Sequence, residues 1–312
     1  MKALDDVLRD ATAGDPMTGL KWTHKTPAKI STQLEAKGYK AKRTTVRRLM
    51  HMRRYALRVN RKRLTKKPNP NRDRQIRYIN RRRRAFIKAH RPAISVDTKK
   101  KELIGIFRNP GRTWRQAPVD VLDTDFPSDA EGKAIPYGVY DAQHNSGYLV
   151  VGTSHETAAF AVAAIRTWWV EVGQPHYPDQ HELFIEADGG GANSSESWLW
   201  KYELQRLADE FDLTITVSHY PPGASKWNPI EHRMFSLITQ NWAGQPLVDY
   251  ETLLNFARRA GENSGFHCAA CLDTTEYKTH LRITPEQKEQ VQLKPARIFP
   301  KWNYTISPHA SM

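Results

Sequence analysis

The order of elements after Ala93 constrains this chain's fold more than any other feature. Residues 94–97 (ISVD) alternate apolar and polar positions, as a strand with one buried face and a polar end does. Tyr137–Tyr140 and Tyr148–Val151 flank the polar turn DAQHNSG and read as a β-hairpin. Thr153 with Glu156 forms a candidate capping box, opening a helix that buries Val162, Ile165, Trp168 and Trp169. Leu183–Ala187 is a further apolar strand, ending at Asp188 and three glycines. Asn193 with Glu196 is a second candidate capping box, before a helix carrying Trp200, Leu204, Leu207, Ala208 and Phe211 at helical spacing. Leu213, Ile215 and Val217 alternate as a strand, and Asn228 and Pro229 open one more helix with Ile230, Met234, Leu237 and Ile238 inward. Strand, hairpin, helix, strand, helix, strand, helix is the element order of an RNase H-like α/β fold, a mixed sheet flanked by helices.

Charge divides the chain. Residues 1–90 hold 27 Lys or Arg against 6 Asp or Glu, a net of +21 out of a total of +15, which leaves residues 91–312 at −6. A basic front half suits a polyanionic partner, and an acidic back half suits cation binding. Thr26–Met52 reads as two short helices around a turn, a small all-α, helix-turn-helix-like region. Pro27 opens the first, Ile30 and Leu34 share a face, Gly38 ends it, and Val46, Leu49 and Met50 form the stripe of the second, capped by Thr44 or Thr45. Lys40, Lys42, Arg43, Arg47 and Arg48 are its candidate DNA contacts. Arg61, Lys62 and Arg63, in the linker-like run RVNRKRLTKKPNPNRDR, would track phosphates, and a helix over Arg72–His90 turns Ile76, Ile79, Phe86 and Ile87 inward and most of Arg81–Arg84 outward. These readings place a DNA-binding region at 1–57, a basic linker and helix at 58–92, the catalytic domain at 93–245 and an extension at 246–312.

Asp97, Asp188 and Glu231 each stand at the end of an element. If the fold brings them together, they offer hard oxygen ligands for two Mg²⁺ ions, or Mn²⁺, able to clamp the attacking and leaving oxygens of a phosphodiester. Asp123, Asp125, Asp129, Asp141 and Glu186 compete for this role, and Asn228 with Glu231 also fits a capping box. Spacing alone leaves these alternatives open. Lys226, Trp227, Asn228 and Arg233 flank Glu231 and are candidate contacts to DNA near a cut, with His219 and His232 as bystanders. The glycine run lacks the Gly-Lys-Ser/Thr of a nucleotide loop, so no nucleotide cofactor is expected. Cys268 and Cys271 read as two reduced thiols rather than half of a zinc site. No stretch approaches the ~20 apolar residues of a membrane span and no signal peptide is evident, which predicts a cytoplasmic protein.

ISVDTKKKELIG around Asp97, AIPYGVYD (134–141), VGTSHETAAFAV (151–162), ADGGGANS (187–194) and HYPPGASKWNPIEHRMFS (219–236) resemble the DDE transposases of bacterial insertion sequences, of the ISAzo or Rhodopirellula type. The resemblance runs from Leu20 to Ile306. It implies that Asp97, Asp188 and Glu231 are the metal-binding triad and that the protein is nucleoid-associated. It further implies cleavage of phosphodiesters at element ends, joining of 3′-hydroxyls to target DNA, and self-association on double-stranded DNA. Family members carry a further N-terminal helix-turn-helix, so a shortened copy with impaired end recognition is also expected. The rival readings are a DNA-binding regulator without catalysis and an RNase H-like nuclease that cuts without joining.

Overall fold

The computed structural model describes residues 2–9, 12–14, 21–23, 25–58 and 69–310, which form two compact units, Met1–Lys66 and Lys67–Met312.

In the first unit, α1 (Lys2–Arg9) is followed by a small antiparallel pair, β1 (Thr12–Gly14) and β2 (Lys21–Thr23), and by α2 (Pro27–Ala36) and α3 (Arg43–Met52). The Thr26 side chain accepts the Lys29 N–H and Pro27 occupies the first turn, where its missing N–H is harmless. Gly38, at φ +83°, ends α2 in the left-handed region. Leu4, Val7, Leu8, Ile30, Leu34 and Val46 form the core, with Leu49 and Met50 packed against it. Lys42, rather than Thr44 or Thr45, stands at the cap of α3, and no side chain caps that helix.

The second unit opens with α4 (Arg72–Lys88), continues through β3 (Ala93–Thr98), β4 (Glu102–Ile104), β5 (Gly132–Asp141), β6 (Ser146–Gly152), α5 (Ala158–Trp168) and α6 (Gln174–His176), and then β7 (Glu182–Ala187), α7 (Trp198–Phe211) and β8 (Thr214–His219). It closes with α8 (Ser236–Asn241), α9 (Tyr250–Arg258), β9 (His267–Asp273), α10 (Pro285–Glu289), β10 (Leu293–Pro295) and β11 (Asn303–Ile306). The sheet runs β10-β11-β8-β7-β3-β5-β6-β9, with β4 paired to β5. β3 is central, antiparallel to β5 and parallel to β7, and β8 is parallel to β7. With β3, β5, β6, β7 and β8 as the five core strands, the order is third-second-first-fourth-fifth with the second reversed, which is the RNase H-like arrangement.

Pleating sorts the side chains of β3. Ile94 and Val96 enter one core with Tyr137, Ile165, Trp168, Trp200 and Leu204, beneath α5 and α7. Ser95 and Asp97 take the other face, where Ile230, Met234 and Phe235 pack with α8 and α9, and Ile76, Ile79 and Phe86 of α4 pack on Phe184 and Tyr220. The segments expected as a separate linker helix and a C-terminal extension therefore contribute α4 and β9–β11 to this unit. Two of the three proposed capping boxes shift: Thr157 caps α5 and Ser197 caps α7, so Glu156 and Asn193 are freed for other contacts.

Candidate active site

The C-terminal ends of β3 and β7 are adjacent, because Val96 lies opposite Ala187 in their parallel pairing. Asp97 and Asp188 are the next residues along each strand run, so strand register alone puts both carboxylates at one end of the sheet. Glu231 begins a π-helical turn, Glu231–Phe235, that leads into α8. Gly138, paired with Asp97, makes room for this turn: a Cβ there would lie 2.5 Å from Phe235 Cε1 and 2.8 Å from Ile230 Cδ1.

One hydrogen-bonded joint fixes the turn to β3. The Ser95 hydroxyl donates to Asn228 Oδ1 and accepts the Ile230 N–H at 3.2 Å, while Asn228 Nδ2 donates to the Val96 carbonyl at 3.4 Å. Asn228 is fully buried, so its place is structural and not on DNA, and its side chain does not cap Glu231. The capping-box reading of Glu231 fails for that reason.

Asp188 Oδ1 accepts the Asn193 amide at 3.3 Å, and the Tyr137 hydroxyl donates to Asn193 Oδ1 at 2.8 Å. Behind Asp188, buried His219 places Nδ1 2.9 Å from the Asp188 carbonyl and Nε2 3.0 Å from the Tyr304 hydroxyl, which also accepts the Trp200 indole N–H. Burial lowers the His219 pKa to about 4, so the ring is neutral and acts as a prop for the backbone at Asp188.

Burial, followed by the charges of Asp188 and Glu231, raises the Asp97 pKa to about 8 against one Thr98 N–H bond that favours the carboxylate. Burial also raises Asp188, with Glu156 and Glu231 adding to the effect. Among the described residues none of the three forms an ion pair. Lys99, held low mainly by burial, is bound to Glu102 at 3.1 Å and lies over Trp242, and Lys101 is bound to Glu156 at 2.8 Å. The three act on one another electrostatically but do not bring their oxygens all within 4.8 Å of one another, and their chemistry is that of the hard oxygen ligands of a divalent cation. Glu156, read from sequence as part of a cap, is a fourth carboxylate in this field; its only sequence signal was its position at a strand-to-helix junction.

The competitors fall away individually. Glu186 is buried and neutralised by Arg83, Asp123, Asp125 and Asp129 are exposed in the 105–131 loop, and Asp141 lies at the opposite end of β5. Lys226 is exposed over half-buried Trp227, which Arg72 also covers at 5.0 Å, and Arg233 and His232 are exposed. In the first unit Lys40, Lys42, Arg43, Arg47 and Arg48 are all exposed, whereas Arg61, Lys62 and Arg63 lie outside the described residues. Cys268 and Cys271 are free thiols on β9.

Solved structures similar to the chain include the Mos1 transposase paired-end complex with left transposon end, at 13% identity over 82% of this chain and 68% of that one, TM-score 0.40. The Mos1 strand transfer complex gives 12%, 82%, 68% and 0.43, and the Mos1 mariner paired end complex with Mn gives 16%, 82%, 69% and 0.41. Comparison with curated proteins finds no match. The family model described as the Rhodopirellula transposase DDE domain matches residues 3–308, and the chain therefore belongs to this family of DDE transposases, enzymes of polynucleotidyl transfer.

Proposed function

We propose that this transposase cleaves phosphodiesters at the ends of its insertion sequence and joins the freed 3′-hydroxyls to target DNA, using Asp97, Asp188 and Glu231 as its catalytic carboxylates. The observation that carries the reading is a group of mutually repelling carboxylates without ion-pair partners, held by a hydrogen-bonded scaffold at one end of the sheet. The three would hold two Mg²⁺ ions, with Mn²⁺ as a substitute, and the bound ions supply charge neutralisation at the attacking and leaving oxygens of an in-line displacement. Asp97, protonated up to about pH 8 in the metal-free chain, releases its proton when a cation is taken up.

Lys226 and Arg233 supply positive charge beside Glu231 for phosphate oxygens, and the half-buried Trp227 ring supports Lys226. The exposed basic side chains of α3 and the residues leading into it contact duplex DNA at the element ends, and copies of the chain assemble on paired ends. Among the described residues no helix is long and apolar enough to cross a membrane.

A strand-transfer assay with labelled element ends and Mg²⁺ tests the reading. Joined product that disappears with a chelator and in Asp188→Asn is the expected result. Binding without cleavage would make the protein a regulator, and cleavage without joined product would make it a nuclease.

A further inference from the structure

The turn joining β5 to β6 holds a second donor set of different chemistry. Asp141 ends β5 opposite Ile94 of β3, three residues from the Asp97 position and so roughly 10 Å along the strand from it. Its carboxylate is fully buried and accepts the Gln143 N–H at 2.9 Å and the Tyr177 hydroxyl, 2.9 Å from Oδ2. Oδ2 also lies 2.8 Å from His144 Nδ1. His176, the last residue of α6, brings its ring to 4.8 Å from that of His144, centroid to centroid. One donor atom from each of Asp141, His144 and His176 lies within 4.8 Å of the other two.

We propose that Asp141, His144 and His176 form a binding site for a borderline divalent transition-metal ion of the Zn²⁺ class, separate from the carboxylates at the other end of the strand. Two imidazoles and one carboxylate are a donor set that favours Zn²⁺ or Co²⁺ over Mg²⁺, which demands oxygen and water. The 2.8 Å between Asp141 Oδ2 and His144 Nδ1 is a hydrogen bond, and donors of a tetrahedral ion bonded at about 2.0–2.1 Å lie about 3.3 Å apart, so the exposed His144 ring moves by about half an ångström to bind. Ligation through Nδ1 puts the proton of the neutral His144 ring on Nε2, so the ion takes the place of the hydrogen bond between Nδ1 and Asp141. The Tyr177 hydroxyl and the Gln143 N–H keep the carboxylate oriented, as outer partners of metal ligands do. His144 and His176 are both exposed, so an ion reaches the site without opening the core, and water completes its coordination. The bound ion ties the hairpin turn to α6.

The test is a Co²⁺ titration of the chelator-stripped full chain in millimolar Mg²⁺, which occupies the carboxylate site, read by visible absorption and by thermal melting. One equivalent is expected to give ligand-field bands, to be displaced by Zn²⁺ and to raise Tm. His176→Ala removes an exposed side chain, so it should keep the fold while weakening Co²⁺ by at least about tenfold and abolishing the Tm rise. Equal Co²⁺ affinity in the wild type and His176→Ala would overturn the site, and so would binding only in excess of one equivalent, spread over the chain's 12 histidines. Neither readout involves DNA, so the outcome is independent of the transposition reading.

Discussion

Glu186 and Asp188 stand two residues apart in one strand run, and the fold treats them in opposite ways. Glu186 is buried against α4, where Arg83 Nη2 and the Tyr220 hydroxyl both donate to Oε2 at 2.7 Å. Asp188 sits past the last paired residue of β7, takes one side-chain amide at 3.3 Å, and faces other carboxylates in place of a cation. The first carboxylate is complete within the protein, whereas the second needs something from outside. An acidic residue is a candidate ligand when the fold withholds its counter-charge, and that is invisible in the residue itself.

Substituting each residue gives the largest expected effects, of opposite kinds. Glu186→Ala leaves the Arg83 guanidinium without its partner and should destabilise the second unit by about 3–5 kcal/mol. At about 2–4 °C per kcal/mol that is a Tm loss of roughly 10 °C. Asp188→Asn should reduce strand transfer by at least about 10²–10³-fold, with Tm in chelator unchanged or higher. A Glu186→Ala chain that melts like the wild type, or an Asp188→Asn chain that joins DNA at the original rate, breaks the contrast.

The strands carrying Asp97 and Asp188 are legible because each is an apolar run ending in a carboxylate, a local signal. Residues 99–133 carry no local signal of an element, since β4 is three residues long and its loop has no apolar period. The places of β9 and β11 in the sheet are not legible locally, because they are set by pairing with distant β6 and β8. Arg83 was one of four consecutive arginines, and nothing local marks it as the one that turns inward to Glu186. Asn228 looked like a helix cap, but its partner Ser95 is 133 residues away. Candidate acids were thus legible, while the contacts that separate ligand from ion pair and cap from joint are all long-range.

A pH series sharpens the same comparison from the other side. The Asp97 pKa is about 8 in the folded chain against an ordinary 3.8, so between these values the folded state holds a proton that the unfolded state has lost. The resulting stability is present in full below pH about 4 and is lost as pH rises through about 8. With each pKa unit worth about 1.4 kcal/mol, the effect is on the order of several kcal/mol. Metal-free Tm should therefore fall between about pH 6 and 9, Mg²⁺ should reverse the fall, and Asp97→Asn should flatten it. A wild-type Tm that rises or stays level over this range in chelator would mean that Asp97 is compensated within the fold, as Glu186 is.

The smallest effect tests the joint rather than the ligands. Ser95 lies on the same face of β3 as Asp97 and hydrogen-bonds neither Asp188 nor Glu231, but its hydroxyl is shared by Asn228 and by the Ile230 N–H immediately before Glu231. Ser95→Ala leaves those two buried groups without their partner, a penalty of about 1–3 kcal/mol. If the hydroxyl positions Glu231, the Mg²⁺ concentration for half-maximal strand transfer should also rise by about 10–100-fold, the range for residues that orient a metal ligand. A role confined to stability would lower Tm and leave the Mg²⁺ midpoint unchanged. Because Glu186 depends on no such joint, its Arg83 pair should stay intact in Ser95→Ala, and Glu186→Ala should lower Tm by the same amount in either background.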